Sequence, residues 1–236
     1  MRPFLAACCC ALIPTFFFAQ ETSDPEAAAP HARGDVFFYD RIGLFREGHA
    51  AVVNDRKHGF IDEHGREIVA PQYEAALPFQ EGLAAVRMKG KWGYIDPQGR
   101  EVIAPSYDLA RSFSEGLAAV TLDGRWGYID RTGQRVIAAA FKDAYDFRGG
   151  LARIGSASGL AKYGFIDRQG NEVVSPQYSD ASDFSEGLAA VKAGLKWGYI
   201  DRTGHVVIPL EYAHANTFAK GRATVRTTPE GSWLVI

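Results

Sequence analysis

A glycine, usually preceded by Glu, returns along this chain at a nearly fixed interval and opens a similar phrase each time. Units begin at Gly48, Gly82, Gly116, Gly150, Gly187 and Gly221, at spacings of 34, 34, 34, 37 and 34 residues. A period of this size means one supersecondary unit that cannot bury its own apolar face and must stack on its neighbours. The chain is therefore a repeat array, and regularity of this kind speaks to fold rather than to chemistry.

The unit from Gly82 to Glu115 is the clearest copy. Leu83 to Met88 and Trp92 to Asp96 bracket Lys89-Gly90, and the next unit has Asp123-Gly124 in that place, the signature of a two-residue hairpin. With the turn there, Arg87 opposes Trp92, Val86 opposes Gly93, Ala85 opposes Tyr94 and Ala84 opposes Ile95, because turn length sets register. Asp96-Pro97-Gln98-Gly99 has the residue preferences of a type I turn and leads to a third strand at Glu101 to Ala104. Tyr107, Ala110 and Phe113 follow in a more irregular segment with room for a fourth short strand. No helix is needed. One face of the hairpin carries Ala84, Val86, Gly93 and Ile95, low and smooth; the other carries Leu83, Ala85, Trp92 and Tyr94, tall and aromatic. A sheet apolar on both sides must be sandwiched, so the aromatic face of one unit is expected on the smooth face of the next, with the tryptophan buried between units and the glycine keeping the receiving face flat.

The Trp-Gly column reads His58-Gly59, Trp92-Gly93, Trp126-Gly127, Tyr163-Gly164 and Trp197-Gly198, then Trp233-Leu234. With E-G-L-A-x-V, K-W-G-Y-I-D, G-x-V-I and Y-x-x-A-x-x-F around it, this pattern resembles the WG (KWG) repeat family of bacterial β-repeat proteins over essentially all of Gly34 to Ile236. The resemblance implies a non-catalytic repeat module and supplies no catalytic residues to carry over. The sixth unit holds only its hairpin, while Gly34 to Phe45 matches the part it lacks: Gly34-Asp35-Val36 against Gly99-Arg100-Glu101-Val102 with one residue dropped, and Tyr39-Asp40 against Tyr107-Asp108. An all-β, propeller-like ring of six units follows as the expectation, the last unit completed by residues 34–47 and Val36 to Tyr39 pairing beside Trp233 to Ile236. An open β-solenoid is the alternative.

Ahead of the array, Arg2 precedes an apolar run from Phe4 to Phe18, the length of a signal-peptide core and short for a membrane helix. Residues 1–20 are read as a signal peptide, with export to the periplasm or outside the cell, and 21–33 as a flexible linker; lipid anchoring at Cys8 is the alternative. Cys8, Cys9 and Cys10 all lie in this leader, so packing rather than disulfides must hold the rest together. Without Arg2 the count is 25 basic against 28 acidic residues, a net charge of −3, which implies no nucleic-acid partner. A monomer with no membrane span after cleavage is expected.

No linear motif carries chemistry. Asp62, Asp96, Asp130, Asp167 and Asp201 recur at equivalent turns and are read as turn-formers bonding following amides rather than as a metal ring. The histidines show no zinc spacing. There is no G-x-S-x-G elbow and no phosphate-binding glycine loop, so no catalytic, cofactor-binding or metal-binding residue is assigned and no cofactor is expected. Interaction is sought where the copies disagree: at His58, His64, His205 and His214, in the expanded hairpin with Ser156, Ser158 and Leu160, and in the longer last hairpin with Glu230. The expected role is a binding scaffold for another protein or a cell-envelope component. A glycan-binding propeller is the alternative, and a hydrolase with a site assembled from distant residues stands behind both.

Overall fold

The computed structural model describes residues 38–157 and 162–236, all within one unit, Phe37–Ile236. The expected signal peptide, the linker, Gly34 to Val36, Ser158 and Leu160 lie outside the described residues. Among the described residues every regular element is a strand, and the strands form six small antiparallel sheets in chain order. The second sheet runs Ala75–Ala76, Ala84–Met88, Lys91–Ile95 and Glu101–Tyr107, with neighbours in sequence paired in space. The Y-x-x-A segment that closes one sequence unit thus provides the first short strand of the next sheet, so each repeat is stitched to its successor by backbone hydrogen bonds. In the third sheet that strand shrinks to one bridge, Ala110 to Val120.

The hairpin register is the one expected: Arg87 opposite Trp92, Val86 opposite Gly93, Ala85 opposite Tyr94 and Ala84 opposite Ile95. The third strand departs from expectation. It runs on to Tyr107, because between Trp92–Tyr107 and Tyr94–Ile103 two residues face four, a bulge that carries the chain past Pro105 on the sheet's edge. This bulge explains the glycine after tryptophan. A Cβ on Gly93 would sit 2.4 Å from the Ile103 carbonyl oxygen and 2.7 Å from the Pro105 nitrogen, and the same crowding recurs at Gly59, Gly127, Gly164 and Gly198. The glycine admits the bulged backbone of its own sheet; flatness for a neighbouring unit is not its role.

The sandwich is as expected in its faces. Leu83, Ala85 and Tyr94 of the second sheet pack on Ala118, Val120 and Ile129 of the third, and the pattern advances one sheet at a time along the array. The buried ring is the tyrosine or phenylalanine two residues after the tryptophan. Tyr94, Tyr128 and Tyr199 are almost fully buried, each in an edge-to-face pair with a phenylalanine later in its own sequence unit: Tyr94 with Phe113, Tyr128 with Phe147 and Tyr199 with Phe218, at 4.8–5.0 Å between centroids. Pairs of this kind add roughly 0.5–1.5 kcal/mol to the area they bury. The tyrosine hydroxyls donate to carbonyls of Arg111, Tyr145 and Asn216 at 2.7–2.8 Å, which removes the cost of burying them. Burial pushes the Tyr199 hydroxyl up to about 12. Trp92, Trp126 and Trp197 are only half-buried at the hairpin ends and Trp233 is 44% exposed, which corrects the expectation of a fully buried tryptophan column.

Each Asp turn closes as expected: the Asp96 carboxylate accepts from the amides of Gln98 and Arg100, both at 2.9 Å, and Asp62, Asp130, Asp167 and Asp201 do the same two and four residues on. The sixth sheet has three strands, His214–Ala215, Thr224–Arg226 and Leu234–Val235, with Leu234 and Val235 47% and 65% exposed. Among the described residues no strand pairs on its far side. Tyr39, the described end of the expected closing strand, packs on Ala50, Val52 and Ile61 of the first sheet.

Candidate functional site

The Glu-Gly phrase that marks each repeat forms a tight turn whose two central residues both have positive φ, for example Glu81 at 54° and Gly82 at 72°. Residues at the turn's flanks bridge, as Gln80 does with Leu83. This twist turns both central amides outward, and at three turns the pair meets the carboxylate of the preceding unit's glutamate. Glu47 accepts from Glu81 and Gly82 at 2.8 Å each; Glu81 accepts from Glu115 and Gly116 at 2.6 and 2.9 Å; Glu186 accepts from Lys220 and Gly221 at 2.7 and 2.8 Å. Glu115 reaches only Gly150, at 2.8 Å. The repeated glutamate is thus a clasp between successive turns, built from charge-assisted bonds.

Cavities open beside these turns. One, of about 560 Å³, is lined by Arg46 and Glu47 of the first turn, Phe79 and Gln80 of the second, and Ser112 and Arg148 further on. Arg46, Gln80 and Arg148 occupy the same position in their repeats, so one cavity gathers equivalent positions from separate units. A second, of about 390 Å³, lies between Leu77, Leu109, Arg111, Trp126 and Asp146. A third, of about 230 Å³, is lined by Arg148, Asp183, Phe184, Ser185 and Thr217.

The polar residues here are where the copies differ most. Arg111 and Tyr145 share a repeat position that holds Leu77 and Ser182 elsewhere, and Arg153 stands where four other units have alanine, at Ala51, Ala85, Ala119 and Ala190. With Trp126 and Tyr163 they form an alternating stack: the Arg111 guanidinium lies 5.4 Å from the Trp126 ring and 4.9 Å from Tyr145, and that of Arg153 lies 3.6 Å from Tyr145 and 5.4 Å from Tyr163. Arg153 also binds Asp183 at 3.0 Å and the Ala181 carbonyl at 2.6 Å. Asp146 is held above the usual carboxylate range by burial, against the opposing pull of Arg111 and Arg148 and with some help from Asp183. Its Oδ1 and the Nε of Arg111 are buried without a hydrogen-bond partner among the described residues, an arrangement natural proteins rarely leave unexplained.

The residues singled out from sequence are not brought together. His58 fills the tryptophan position of the first sheet, opposite Tyr73, and burial, with Arg41 nearby, lowers its pKa. His64 and His205 sit exposed in the Asp turns of the first and fifth sheets. His214 lies on the sixth sheet, 6.4 Å from the Trp233 ring, and Glu230 is exposed in the last hairpin loop. The Ser156 amide closes the base of the expanded hairpin on the Lys162 carbonyl at 2.8 Å. The signal for the cavity residues was the same one, disagreement between copies, but it lay inside strands and short segments rather than in loops or histidines. Among the described residues no three His, Cys, Asp or Glu side chains group as metal ligands, and no helix is long and apolar enough to cross a membrane.

The family model for the WG containing repeat matches residues 59–92, 92–126, 126–154, 163–195 and 197–227. The chain belongs to the WG-repeat family. Its fold is similar to that of β-propellers: to Hsv2p of Kluyveromyces lactis, with a TM-score of 0.51 at 10% identity over 79% of this chain and 71% of that one. A eukaryotic initiation factor structure aligns at a TM-score of 0.52 and 14% identity over 78% of this chain and 57% of that one. No curated protein sequence matches the chain.

Proposed function

We propose that this protein is an exported, non-catalytic scaffold that binds another protein or a cell-envelope component through the cavity-bearing side of its Glu-Gly turns. One observation carries the reading. The residues that repeat are used in packing, turns and clasps, whereas polar residues that differ between copies, Arg111, Asp146 and Arg148, line cavities, and Arg153 bonds Asp183 on the wall of one. Buried polar atoms without partners in a concave, partly apolar setting are what a ligand site leaves open. Catalysis is not part of the reading: the cations here are arginines, which stay protonated and cannot act as general bases. Export rests on the leader-like composition of residues 1–20.

The expected ring also belongs to this reading, with Val36 to Tyr39 completing the sixth sheet. Tyr107 follows Val102 by five residues, and the two-residue bulge lies between them; Tyr39 follows Val36 by three, two fewer, and the bulge-admitting glycine is replaced by Leu234. A strand without the bulge needs no glycine opposite it, so the two departures compensate. Labels at Val36 and Val235 should report backbones roughly 5 Å apart; a separation of several strand widths leaves the open stack.

A glycan-binding reading has one observation in its favour, the half-buried Trp126 in the 390 Å³ cavity. Against it, the ring already carries the Arg111 guanidinium 5.4 Å away, which a sugar would have to displace. The deciding experiment is capture from the native cell envelope with the wild-type protein, an Arg111→Ala/Asp146→Ala variant and an Asp62→Asn control. Capture lost only in the double variant supports the cavities as the binding surface, and capture unchanged there removes them. Glycan-array binding by the wild type that disappears in Trp126→Ala would replace the protein-binding reading.

A further inference from the structure

The glutamate clasp has one gap inside the array. At the fourth turn the glutamate is replaced by Gly149, and the residue before it is Arg148 where the neighbouring turns have Ser114 and Ser185. The turn keeps its shape, with Gly149 at φ 59° and Gly150 at 79°. What it loses is the carboxylate that would clasp the next turn. The amides of Glu186 and Gly187, the counterparts of those capped elsewhere at 2.6–2.9 Å, meet no acceptor among the described residues. The 230 Å³ cavity is lined by Arg148 and Ser185, the residues directly before Gly149 and Glu186 in the two turns.

The surroundings favour an anion. Arg148 lines the cavity, and Arg202 bonds the Gly149 carbonyl. The facing carboxylate, Asp183, is shared by Arg153 at 3.0 Å and Arg148 at 3.7 Å, and is therefore already neutralised. Asp146, whose pKa is raised by burial, faces the opposing charges of Arg111 and Arg148. Glu186 directs its own carboxylate to Lys220 and Gly221.

We infer that the Glu186-Gly187 turn and Arg148 form a binding site for a carboxylate, and that its occupant is an acidic side chain of the bound partner, taking the place of the glutamate missing at 149. The protein supplies the precedent itself: at three other turns a glutamate carboxylate on a short, flexible stem occupies the equivalent position with both amides bonded. A cavity of this size accommodates one such side chain, which argues for a Glu or Asp on a peptide segment over a bulky anion. This inference rests on the binding-scaffold reading for its partner, while the site can be tested without one.

The test is an NMR titration of the full chain with N-acetyl-glutamate N-methylamide, with the glutamine analogue as the uncharged control. The acidic probe should shift the amide protons of Glu186 and Gly187 downfield and saturably, and the glutamine probe should not. Gly149→Glu should abolish the response by filling the site from within; glutamate is tolerated at this backbone conformation in four other turns, and a Cβ at 149 meets nothing within 4 Å. Gly149→Ala, which leaves the gap open, should respond like the wild type, and Arg148→Ser should weaken binding by about tenfold, the scale of one hydrogen bond to a charged group. Silent amides at about 50 mM probe, or an equal response in Gly149→Glu, overturn the site. If the amides respond but envelope capture is the same in Gly149→Glu and Gly149→Ala, the partner does not use the site and its proposed occupant is wrong. If the amides are silent while capture is still lost in Arg111→Ala/Asp146→Ala, the scaffold reading stands without this site.

Discussion

The junction between the second and third sheets and the junction between the fourth and fifth repeat the same apolar packing and differ in nearly everything polar. Tyr94 meets Phe113 at 4.8 Å and 60°; Phe165 meets Phe184 at 4.7 Å and 61°. The first junction adds the Tyr94 hydroxyl bond to Arg111 and the Glu81 clasp to Glu115 and Gly116. The second has no hydroxyl on Phe165 and no carboxylate at Gly149, and is cross-linked instead by Arg153 reaching Ala181 and Asp183. Identical ring geometry under different polar connections means that apolar packing sets the spacing of the units. The polar links can be rewired around it, and a cavity lined by Arg148 and Asp183 lies at the rewired junction.

Phe113→Ala and Phe184→Ala should break both junctions alike, each costing about 3–5 kcal/mol as buried large-to-small changes. Denaturant melts that separate the two by more than about 2 kcal/mol, beyond the usual scatter of such sites, would mean that the cores are not equivalent. Arg153→Ala should separate the junctions. It removes a largely buried guanidinium from a carboxylate that is itself partly exposed, so the cost should be about 2 kcal/mol, below the 3–5 of a fully buried pair. Ala85, its counterpart, has no polar link to lose, and a loss within surface noise for Arg153→Ala would reduce that link to decoration.

A smaller effect is expected from Tyr94→Phe, which makes the first junction resemble the second at one atom and should cost about 1 kcal/mol, the worth of one hydrogen bond. The smallest concerns pH. The carboxyls of the five Asp turns lie below their usual range: in Asp130 and Asp201 through threonine hydroxyls first, and in Asp167 through the Asn171 side chain first. In Asp62 and Asp96 burial works upward but is outweighed by bonds from nearby amides and arginines. A depressed carboxyl stabilises the fold above its unfolded value of about 4 and loses that contribution as pH falls through the folded value. Melting temperature should therefore decline gradually below about pH 4, and an Asp130→Asn variant should decline less; an unchanged acid profile in that variant would remove the turn carboxylates as its cause.

The hairpin register, the alternation of faces and the Asp turns could be read from the sequence because each depends on residues a few positions apart. The bulge could not, since Pro105 and Tyr107 look like the end of a strand until the backbone is seen folding against Gly93. Nor could the purpose of the repeated glutamate, whose partners lie 34 and 35 residues later. Half the candidate site was visible in outline. Arg153 in an alanine column is a large departure, but the hairpin's register alone does not tell that its guanidinium turns back over Tyr145 towards Asp183.

The glutamate clasp also has a direction, and that direction matters while the chain is being made. In each clasp the carboxylate comes from the earlier residue and the amides from the later one, as with Glu47 and the pair Glu81 and Gly82. During synthesis from the N-terminus, an emerging turn meets an acceptor that already exists, so the growing array can serve as the template for its own next step. The turn at Glu186 and Gly187 is the one along this sequence whose predecessor, Gly149, offers no such acceptor, and it is there that a translating ribosome would be expected to leave the nascent chain most exposed to whatever else is present.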